Sequence, residues 1–329
     1  MTVLVTGGAG YIGSHMVWKL LDEGEDVVIV DNLRTGFDWA VPPEAELVVG
    51  EAGDQALVEE VMKRRGVDAV IHFGGSLIVY ESVADPLGYY FNNTVQSRAL
   101  IESAVRMGVP HFIFSSSAAI YGNPARIPVT EDEPARPESP YGMSKWMTEV
   151  MLRDAAAAHG FSYAALRYFN VAGADPRMRT GESTKSATHL IKAAAQAAIG
   201  KRDFLAIYGN DYPTPDGTCV RDYIHVTDLA NAHYLALQRL RAGSENLVLN
   251  CGYGRGYSVR EVVDAVLRMG DRKFEVRQSE RRPGDPAVIV ANADRARAIL
   301  GWTPEHDDLD EIVSHAIQWE ETLSRRNSA

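Results

Sequence analysis

The chain has 329 residues, of which 46% are hydrophobic and 23% are charged, and its formal net charge is −11. This length suits two lobes, and the composition is that of an ordinary globular protein. The acidic balance argues against nucleic acid as a partner, because a phosphate-binding surface needs a basic excess. No apolar run reaches the roughly 20 residues of a membrane span, and no cleavable apolar stretch opens the chain, so we expect a cytoplasmic protein.

The first half of the chain alternates short apolar runs with segments of helical periodicity. The predicted strands are Val3–Thr6, Asp26–Val30, Glu46–Val49, Ala69–Phe73 and His111–Phe114. The predicted helices are Gly13–Glu23, Gln55–Arg65 and Asn92–Met107. This alternation predicts an α/β fold with a Rossmann-type, doubly wound parallel sheet that carries helices on both faces.

The pattern changes after about Asn170. We therefore predict a dinucleotide-binding domain over residues 1–170 and a smaller α/β domain over 171–329, with a return segment at about 222–250. The predicted elements are a loop at Asp175–Lys185, a helix at Ser186–Ile199, a strand at Leu205–Tyr208, a turn at Asp211–Gly217 and helices at Ser258–Met269 and Asp308–Thr322. Three more are predicted to return to the first lobe: strand Tyr223–Val226, helix Asp228–Leu240 and strand Asn246–Leu249.

Two cysteines, Cys219 and Cys251, are the whole complement of thiols. A chain of this size does not need a disulfide, so both are predicted to be small, reduced core residues. No spacing of cysteine and histidine resembles a zinc site, and we expect no metal.

Three glycines, Gly7, Gly10 and Gly13, follow the first strand and open the first helix with the spacing G-x-x-G-x-x-G. Glycines allow the backbone to turn tightly and approach a pyrophosphate, which the free amides of a helix N-terminus then bind. Asp31 ends the second strand at the distance typical of the acid that binds an adenosine ribose. A carboxylate there repels a 2′-phosphate and favours NAD over NADP, although Arg34, interpreted as a solvated loop residue, lies nearby.

A second motif places Tyr141 and Lys145 four residues apart at the start of a helix, with Ser139 as N-cap and Pro140 at the first helical position. Such a pair is also common as a surface tyrosine and a solvated lysine. Beside a nicotinamide cofactor, however, two cations would lower the pKa of the phenol by roughly three units, and the tyrosine would become a usable base.

Three consecutive serines leave the end of the strand at His111–Phe114, at the edge of the sheet where such folds bind ligands. One of their hydroxyl groups would pass a proton between a substrate and Tyr141. Spacing alone does not single out which serine does so.

Together these motifs resemble the extended short-chain dehydrogenase/reductase superfamily and, within it, the UDP-glucose 4-epimerase family. The resemblance covers nearly the whole chain. It includes TGGAGYIGSH at 6–15, DNL at 31–33, FSSSAAIYG at 114–122, SPYGMSK at 139–145, RYFNVAGADP at 167–176, LAIYGNDYPTPDGTCVRDYIHV at 205–226 and RRPGD at 281–285.

The resemblance implies roles for individual residues. It makes Ser117, Tyr141 and Lys145 catalytic. It implies contacts with NAD from Gly7, Gly10, Tyr11, Ile12, Gly13, Asp31, Asn32, Glu51, Phe73, Asn92, Ser115, Tyr141, Lys145 and Tyr168. It implies contacts with a UDP-sugar from Ser117, Tyr141, Asn170, His189, Leu190, Ala206, Tyr208, Arg221, Arg282 and Asp285.

The implied reaction inverts C4 of a UDP-hexose, UDP-glucose or UDP-galactose, through a transient 4-keto sugar. NAD is regenerated in each cycle, and the family resemblance also implies a homodimer. The helix faces around Asn92–Met107 and Tyr141–Ala156 are the expected dimer contacts.

Four positions depart from the family pattern. Leu77 replaces a lysine by the cofactor, which leaves the tightness of NAD binding open, and Glu51 replaces a shorter aspartate. His189 replaces an asparagine. Ile289, at the position that gates N-acetylated sugars, is neither a bulky tyrosine nor a small residue, so UDP-xylose and UDP-N-acetylglucosamine stay open as substrates.

Two further classes of protein stay open as alternatives. A sugar-nucleotide dehydratase or decarboxylase on the same scaffold carries acids directly after the catalytic serine or threonine, where this chain has Ala118 and Ala119. A regulatory module that has lost catalysis should have lost Tyr141 or Lys145, and both are present.

Overall fold

A computed structural model describes residues 1–184, 188–282 and 285–328. The strands are β1 Thr2–Thr6, β2 Asp26–Asp31, β3 Glu46–Val49, β4 Val67–His72, β5 His111–Ser117, β6 Ser162–Tyr168, β7 Asn170–Ala172, β8 Phe204–Tyr208, β9 Val220–His225, β10 Leu247–Cys251, β11 Gly256–Ser258, β12 Glu275–Ser279 and β13 Val288–Ile289. The α-helices are α1 Tyr11–Asp22, α2 Gln55–Arg65, α3 Val79–Ala84, α4 Pro86–Tyr89, α5 Gln96–Arg106, α6 Pro140–His159, α7 Leu190–Ala198, α8 Val226–Arg241, α9 Val259–Met269, α10 Asp294–Leu300 and α11 Leu309–Ser328. Two 3₁₀ turns, Asp38–Ala40 and Ala118–Tyr121, and a π-helix, Tyr90–Val95, complete the set.

A seven-stranded parallel sheet organises the first half of the chain, in the order β10-β6-β5-β4-β1-β2-β3. All five strands predicted there are confirmed, and β3 and α2 have the predicted bounds. The sheet extends by β6, which the sequence analysis did not name, and by β10, which confirms the predicted return of the chain around residue 247. The predicted doubly wound α/β fold is therefore confirmed.

Helices cover both faces of this sheet. Alternate residues of β1 enter different clusters: Val3 and Val5 join one hydrophobic core with α1 and α8, and Leu4 joins another with α2, α5 and α6. Because both faces are buried, the strands are apolar at nearly every position, as parallel strands between two helical layers must be. Cys251 lies in the first of these cores, and both cysteines are free and buried.

The prediction that Tyr223–Val226 returns to the first lobe is wrong. The strand there, β9, belongs to a separate small sheet, where it pairs with β7 and β13 in parallel and with β11 antiparallel. Only α8 and β10 of the predicted return segment reach the large sheet. An apolar run predicts that a strand forms, whereas its partners are set by contacts with distant parts of the chain.

Other elements match with differences at their ends. The predicted helix Asn92–Met107 divides into the π-helix Tyr90–Val95 and α5. The predicted helix at 186–199 begins at Leu190 in the structure, and Ser186 lies outside the described residues, as does Lys185 at the end of the predicted loop. The turn at 211–217 and helices α9 and α11 are confirmed, α9 with a capping box at Ser258. Within the RRPGD motif, Pro283 and Gly284 lie outside the described residues.

Over the ranges that the structure describes, no helix combines the length and the apolar character needed to cross a membrane.

Candidate active site and cofactor groove

The glycine loop joins β1 to α1 at the carboxyl edge of the large sheet. Gly7 has a φ of +72°, in the region that side chains disfavour, and a Cβ on Gly13 would lie 2.1 Å from the carbonyl oxygen of Gly7. Helix α1 then begins at Tyr11 with Gly10 as N-cap, so no side chain caps it and its first turn holds no acid. The first-turn amides of α1 are therefore suited to an anionic ligand.

Two acids lie at the ends of the strands beyond the glycine loop. The carboxylate of Asp31 accepts from the backbone N–H of Ala9 at 2.9 Å and from that of Leu33 at 2.8 Å. Burial raises the pKa of Asp31, and the nearby Glu51 raises it further. Asn32 donates to both oxygens of Glu51, at 3.1 and 3.2 Å, which fixes the longer carboxylate beside Asp31.

Helix α6 presents Tyr141 and Lys145 from its first two turns. As predicted, Ser139 caps the helix, accepting from the backbone of Gly142 at 3.1 Å, and Pro140 takes the first helical position. Both functional side chains are buried, and the Nζ of Lys145 donates to the carbonyl oxygen of Ser115 at 2.9 Å. Burial lowers the pKa of Lys145 to about 8.

The structure singles out one serine of the three as the partner of Tyr141. Ser117 ends β5, and of the three serines it is the one whose side chain acts on the pKa of Tyr141. Burial raises the pKa of Tyr141 above its ordinary value, and the Ser117 side chain offsets part of that rise. The Lys145 ammonium lies 6.0 Å from the centre of the Tyr141 ring. Burial therefore outweighs the effect of Ser117, and the phenol stays protonated at neutral pH.

Ser115 and Ser116 have other partners. Ser115 hydrogen-bonds to the hydroxyl of Tyr168 at the end of β6. Ser116 donates to Glu149 of α6, whose carboxylate is paired with Arg167 in a buried ion pair. The sequence analysis missed this pair, although Glu149 lies on the same helical face as Tyr141 and Lys145, at spacings of four.

The segment after β4 is held by the π-helix. Phe73 packs against His233 with ring centres 4.9 Å apart. Asn92 donates to the side chain of Ser76 at 2.9 Å, while Asn93 bonds both the N–H (2.7 Å) and the C=O (2.9 Å) of Ser76. Asn93 was also missed by the sequence analysis. Leu77, which follows Ser76, is half exposed and brings no charge to this edge of the sheet.

The predicted UDP-sugar residues come from three segments of the smaller sheets and their loops. Arg221 of β9 lies 3.8 Å from the carboxylate of Asp285, and the guanidinium of Arg282 stacks 4.0 Å from the ring centre of Tyr208 in β8. Ala206 lies in the same strand as Tyr208. Two arginines and one acid therefore line one region outside the large sheet.

Ile289 connects this region to the neighbourhood of Ser117. It pairs with Arg221 in the small sheet and packs, buried, in a cluster with Ala118, the residue after Ser117. Asn170 opens β7, two residues after Tyr168, and pairs with Tyr223 of β9. The residues around Ser117 and the predicted UDP-sugar residues are thus linked through β9 and β13.

His189 and Leu190 lie at the start of α7. His189 is the N-cap residue and bonds to Glu182 at 2.6 Å, and the charge of Glu182 raises the pKa of His189. Leu190 opens the helix and packs, partly buried, against the main core. Ile12 of the glycine loop packs against the same core, and the hydroxyl of Tyr11 donates to the Gly173 carbonyl at 2.7 Å.

Comparisons with known proteins agree with this geometry. The sequence profile described as the NAD dependent epimerase/dehydratase family matches residues 3–252. The UDP-glucose 4-epimerase of Azospirillum brasilense is 55% identical over 323 residues, which cover 98% of this chain and 93% of that protein.

Solved structures give the same result. A UDP-glucose 4-epimerase from Brucella ovis in complex with NAD is 46% identical and superimposes with a TM-score of 0.93 over 96% of this chain and 97% of that one. One from Bifidobacterium longum in complex with NAD+ and UDP is 38% identical, with a TM-score of 0.93 over 98% of both chains. The chain therefore belongs to the NAD dependent epimerase/dehydratase family.

Proposed function

We propose that this enzyme is a UDP-glucose 4-epimerase, which interconverts UDP-glucose and UDP-galactose by inverting C4 through a transient 4-keto sugar. The observation that carries the proposal is the placement of Ser117 at the end of β5, where its side chain acts on the pKa of the buried Tyr141, with Lys145 buried and bonded to the same strand at Ser115. The neighbouring Ala118 and Ala119 offer no acid for an elimination, which favours an epimerase over a dehydratase or a decarboxylase.

The groove has the properties that NAD requires. Helix α1 starts without a side-chain cap, which leaves its amides for a pyrophosphate. Each oxygen of Asp31 takes one backbone N–H, so each keeps a lone pair for a ribose hydroxyl. The Lys145 ammonium has three donors, and the bond to Ser115 uses one of them. When bound, NAD supplies the acceptor that takes the C4 hydride and returns it in the same turnover.

The other cofactor contacts are part of the same proposal. We assign them to Gly7, Gly10, Tyr11, Ile12, Gly13, Asn32, Glu51, Phe73, Asn92, Ser115, Tyr141 and Tyr168. Those of the loop and of the strand ends all lie at one edge of the large sheet, which supports a single extended groove.

The chain's own residues carry the proton. Tyr141 accepts the proton of the C4 hydroxyl, partly through Ser117, and returns it to the 4-keto oxygen after the sugar has turned over. Because burial raises the pKa of Tyr141, the phenol keeps its own proton and cannot accept another until a second positive charge joins Lys145 in the site and lowers that pKa. Proton removal is therefore tied to a loaded cofactor groove.

Arg221 and Arg282 are assigned to the diphosphate, since planar guanidinium groups bind phosphate oxygens with two donors each. Asp285 is assigned to a donor on the ribose or uracil. The remaining contacts with the UDP-sugar are assigned to Asn170, His189, Leu190, Ala206 and Tyr208.

The breadth of the sugar pocket depends on Ile289. Its side chain is buried in the same hydrophobic cluster as Ala118, the residue after the proposed catalytic serine. A residue of intermediate size there keeps UDP-xylose and UDP-N-acetylglucosamine as second candidate substrates.

We further propose that the boundary between the two domains lies near residue 170. We also propose that the protein is a homodimer. Leu87, Phe91 and Val95, four residues apart along α4 and the π-helix, are 79%, 59% and 49% exposed, and Met147 of α6 is 39% exposed. Apolar residues in such a row favour an interface with a second copy, and sedimentation at working concentration tests it.

Two free, buried cysteines fit a reducing compartment, and we propose that the protein lies in the cytoplasm.

Product analysis tests the proposed function. The purified protein is incubated separately with UDP-glucose, UDP-xylose and UDP-N-acetylglucosamine, and the C4 epimers are separated chromatographically. We expect UDP-galactose from UDP-glucose without added NAD and without steady accumulation of NADH. Conversion of UDP-glucose to a dehydrated product, or NADH that accumulates with turnover, would overturn the proposal.

A further inference from the structure

Aromatic side chains from two distant parts of the chain form a row beside the glycine loop. The rings of Phe37 and Trp39 have centres 5.1 Å apart, and Trp39 lies 6.3 Å from Trp319 of α11. The guanidinium of Arg326, two turns further along α11, stacks 4.3 Å from the centre of the Trp39 ring. These four residues are called the aromatic clamp below.

One end of the clamp is fixed to the glycine loop. The backbone N–H of Phe37 donates to the carbonyl oxygen of Ala9 at 3.0 Å, and a Cβ on Gly36 would lie 2.9 Å from the Cβ of Ala9. Asp31 accepts from the N–H of the same Ala9 at 2.9 Å. The segment that follows the ribose-binding acid is therefore closed down onto the glycine loop.

The other end is fixed to the smaller domain. Trp319 is buried and packs on Gly181, where a Cβ would lie 2.4 Å from its ring, and its indole N–H donates to Ser183 at 3.2 Å. The next residue, Glu320, is buried between Lys192 and Lys201, with an ion pair of 2.9 Å to the latter. This part of α11 is thus held in place independently of Trp39.

A small cavity lies where the two ends meet. Its walls include Gly10 and Tyr11 of the glycine loop, Thr35 and Phe37 of the following segment, and Ser183. Its volume of about 10 Å³ leaves room for about one water molecule. The segment 31–37 is therefore packed closely against the glycine loop on one side and against the smaller domain on the other.

We propose that the aromatic clamp slows the release of NAD by holding the segment 31–37 on the glycine loop. The inference rests on the proposed function, in which NAD is regenerated in each cycle and gains from staying bound. Trp39, Trp319 and Arg326 are positioning residues in this proposal, since they act through the segment that carries Asp31. The clamp supplies retention at the adenosine end, where it does not depend on the cation that Leu77 replaces at the other end of the groove.

The rate at which NAD leaves the purified holoenzyme tests the clamp. Two variants, Trp39→Ala and Arg326→Gln, are passed through repeated gel filtration, and the NAD that remains per protomer is measured after denaturation. We expect Trp39→Ala to lose NAD about tenfold faster than the wild type, equivalent to about 1.4 kcal/mol in the barrier, because it removes both ring contacts and the cation contact. Arg326→Gln should have a smaller effect, and Trp39→Phe should restore most of the retention.

Arg325→Gln is the matched control. Arg325 neighbours Arg326 on α11, and its side chain forms a loose ion pair with Glu321 at 3.9 Å. This variant should retain NAD as the wild type does. Turnover of Trp39→Ala in excess NAD should stay within about threefold of the wild type, because the residue does not touch the reacting atoms.

The outcomes separate the clamp from the function. A wild type that retains NAD and epimerises UDP-glucose, with Trp39→Ala losing NAD no faster, overturns the clamp alone. A wild type that neither holds NAD nor epimerises overturns the proposed function and the clamp with it.

Discussion

Lys145 and Ser115 are joined by a hydrogen bond of 2.9 Å from the lysine Nζ to the serine carbonyl oxygen. This bond ties the second turn of α6 to the end of β5, one turn after Tyr141 and two residues before Ser117. Tyr141 and Ser117, the proposed proton acceptor and its hydroxyl partner, belong to different elements, and this contact is one that sets their relative position. It also places a buried ammonium group in the site, at a cost in desolvation.

That cost predicts a pH dependence of stability. Burial lowers the pKa of Lys145 to about 8 in the folded protein, against about 10.4 in an unfolded chain. Between these values the unfolded state binds more protons, so the free energy of unfolding rises with pH by up to about 1.4 kcal/mol per unit. The penalty is fully present below pH 8.

Lys145→Met removes this term. We expect the variant to be more stable than the wild type near neutral pH, with the difference shrinking from about pH 8 to about pH 10. Urea unfolding of both proteins at several pH values measures it. Lys19→Met, in an exposed pair with Glu23 of 2.6 Å, is the control, and pH profiles of wild type and Lys145→Met that run parallel would contradict the prediction.

Tyr141→Phe should fold and retain NAD while kcat falls by about 10²- to 10⁴-fold, the range expected when a general base is lost. The ring stays in place, and only the hydroxyl group is removed. Steady-state rates, with bound NAD quantified in the same samples, measure the effect. The control is Tyr163→Phe, a buried tyrosine on β6 that packs in the core, which should keep its activity. A rate for Tyr141→Phe within a few fold of the wild type would remove Tyr141 from the proposed mechanism.

Local features of this chain could be predicted from sequence because each has a local physical cause. The strands of the large sheet are apolar on both faces, and α2 ends at Arg65 because the following Gly66 adopts the left-handed conformation, with φ of +62°. The start of α6 follows from a serine cap and a proline at the first position. These causes lie within a few residues of the element that they define.

Features that depend on distant contacts could not be predicted in the same way. Strand β9 pairs with β7, β11 and β13 in the small sheet. Nothing in the residues of β9 indicates that it joins this sheet and not the large one. The choice of Ser117 among three serines also came from the resemblance alone. The aromatic clamp joins Trp39 to Trp319 and Arg326, almost the whole chain apart, and no periodicity indicates such a contact.

Arg282→Ala should raise KM for UDP-glucose by about 10- to 100-fold and change kcat less. In the proposed site this guanidinium binds the diphosphate equally in the ground state and the transition state, and loss of such binding appears mainly in KM. Arg282 is oriented by stacking on Tyr208, so Tyr208→Leu should produce part of the same effect. Initial rates over a range of UDP-glucose concentrations measure both.

Arg281→Ala is the matched control for that series. The neighbouring arginine pairs instead with Asp211 at 2.6 Å and stacks on Tyr212 at 4.1 Å. It should leave KM within about twofold. Equal losses from Arg281→Ala and Arg282→Ala would mean that the segment, and not one guanidinium, is responsible.

Glu149→Gln should destabilise the fold by about 3 to 5 kcal/mol, because it leaves the buried charge of Arg167 without its counter-ion. The Arg167–Glu149 pair lies 2.6 Å apart, with both side chains almost fully buried, and Glu149 also accepts from Ser116, the residue before Ser117. Urea unfolding measures the loss. Glu59→Gln, in a half-exposed pair of 3.3 Å with Arg106, should cost less than about 1 kcal/mol. If both variants cost the same, the Glu149 carboxylate would not be what fixes α6 against β5 and β6, and the position of Ser117 beside Tyr141 would have to depend on the bond from Lys145.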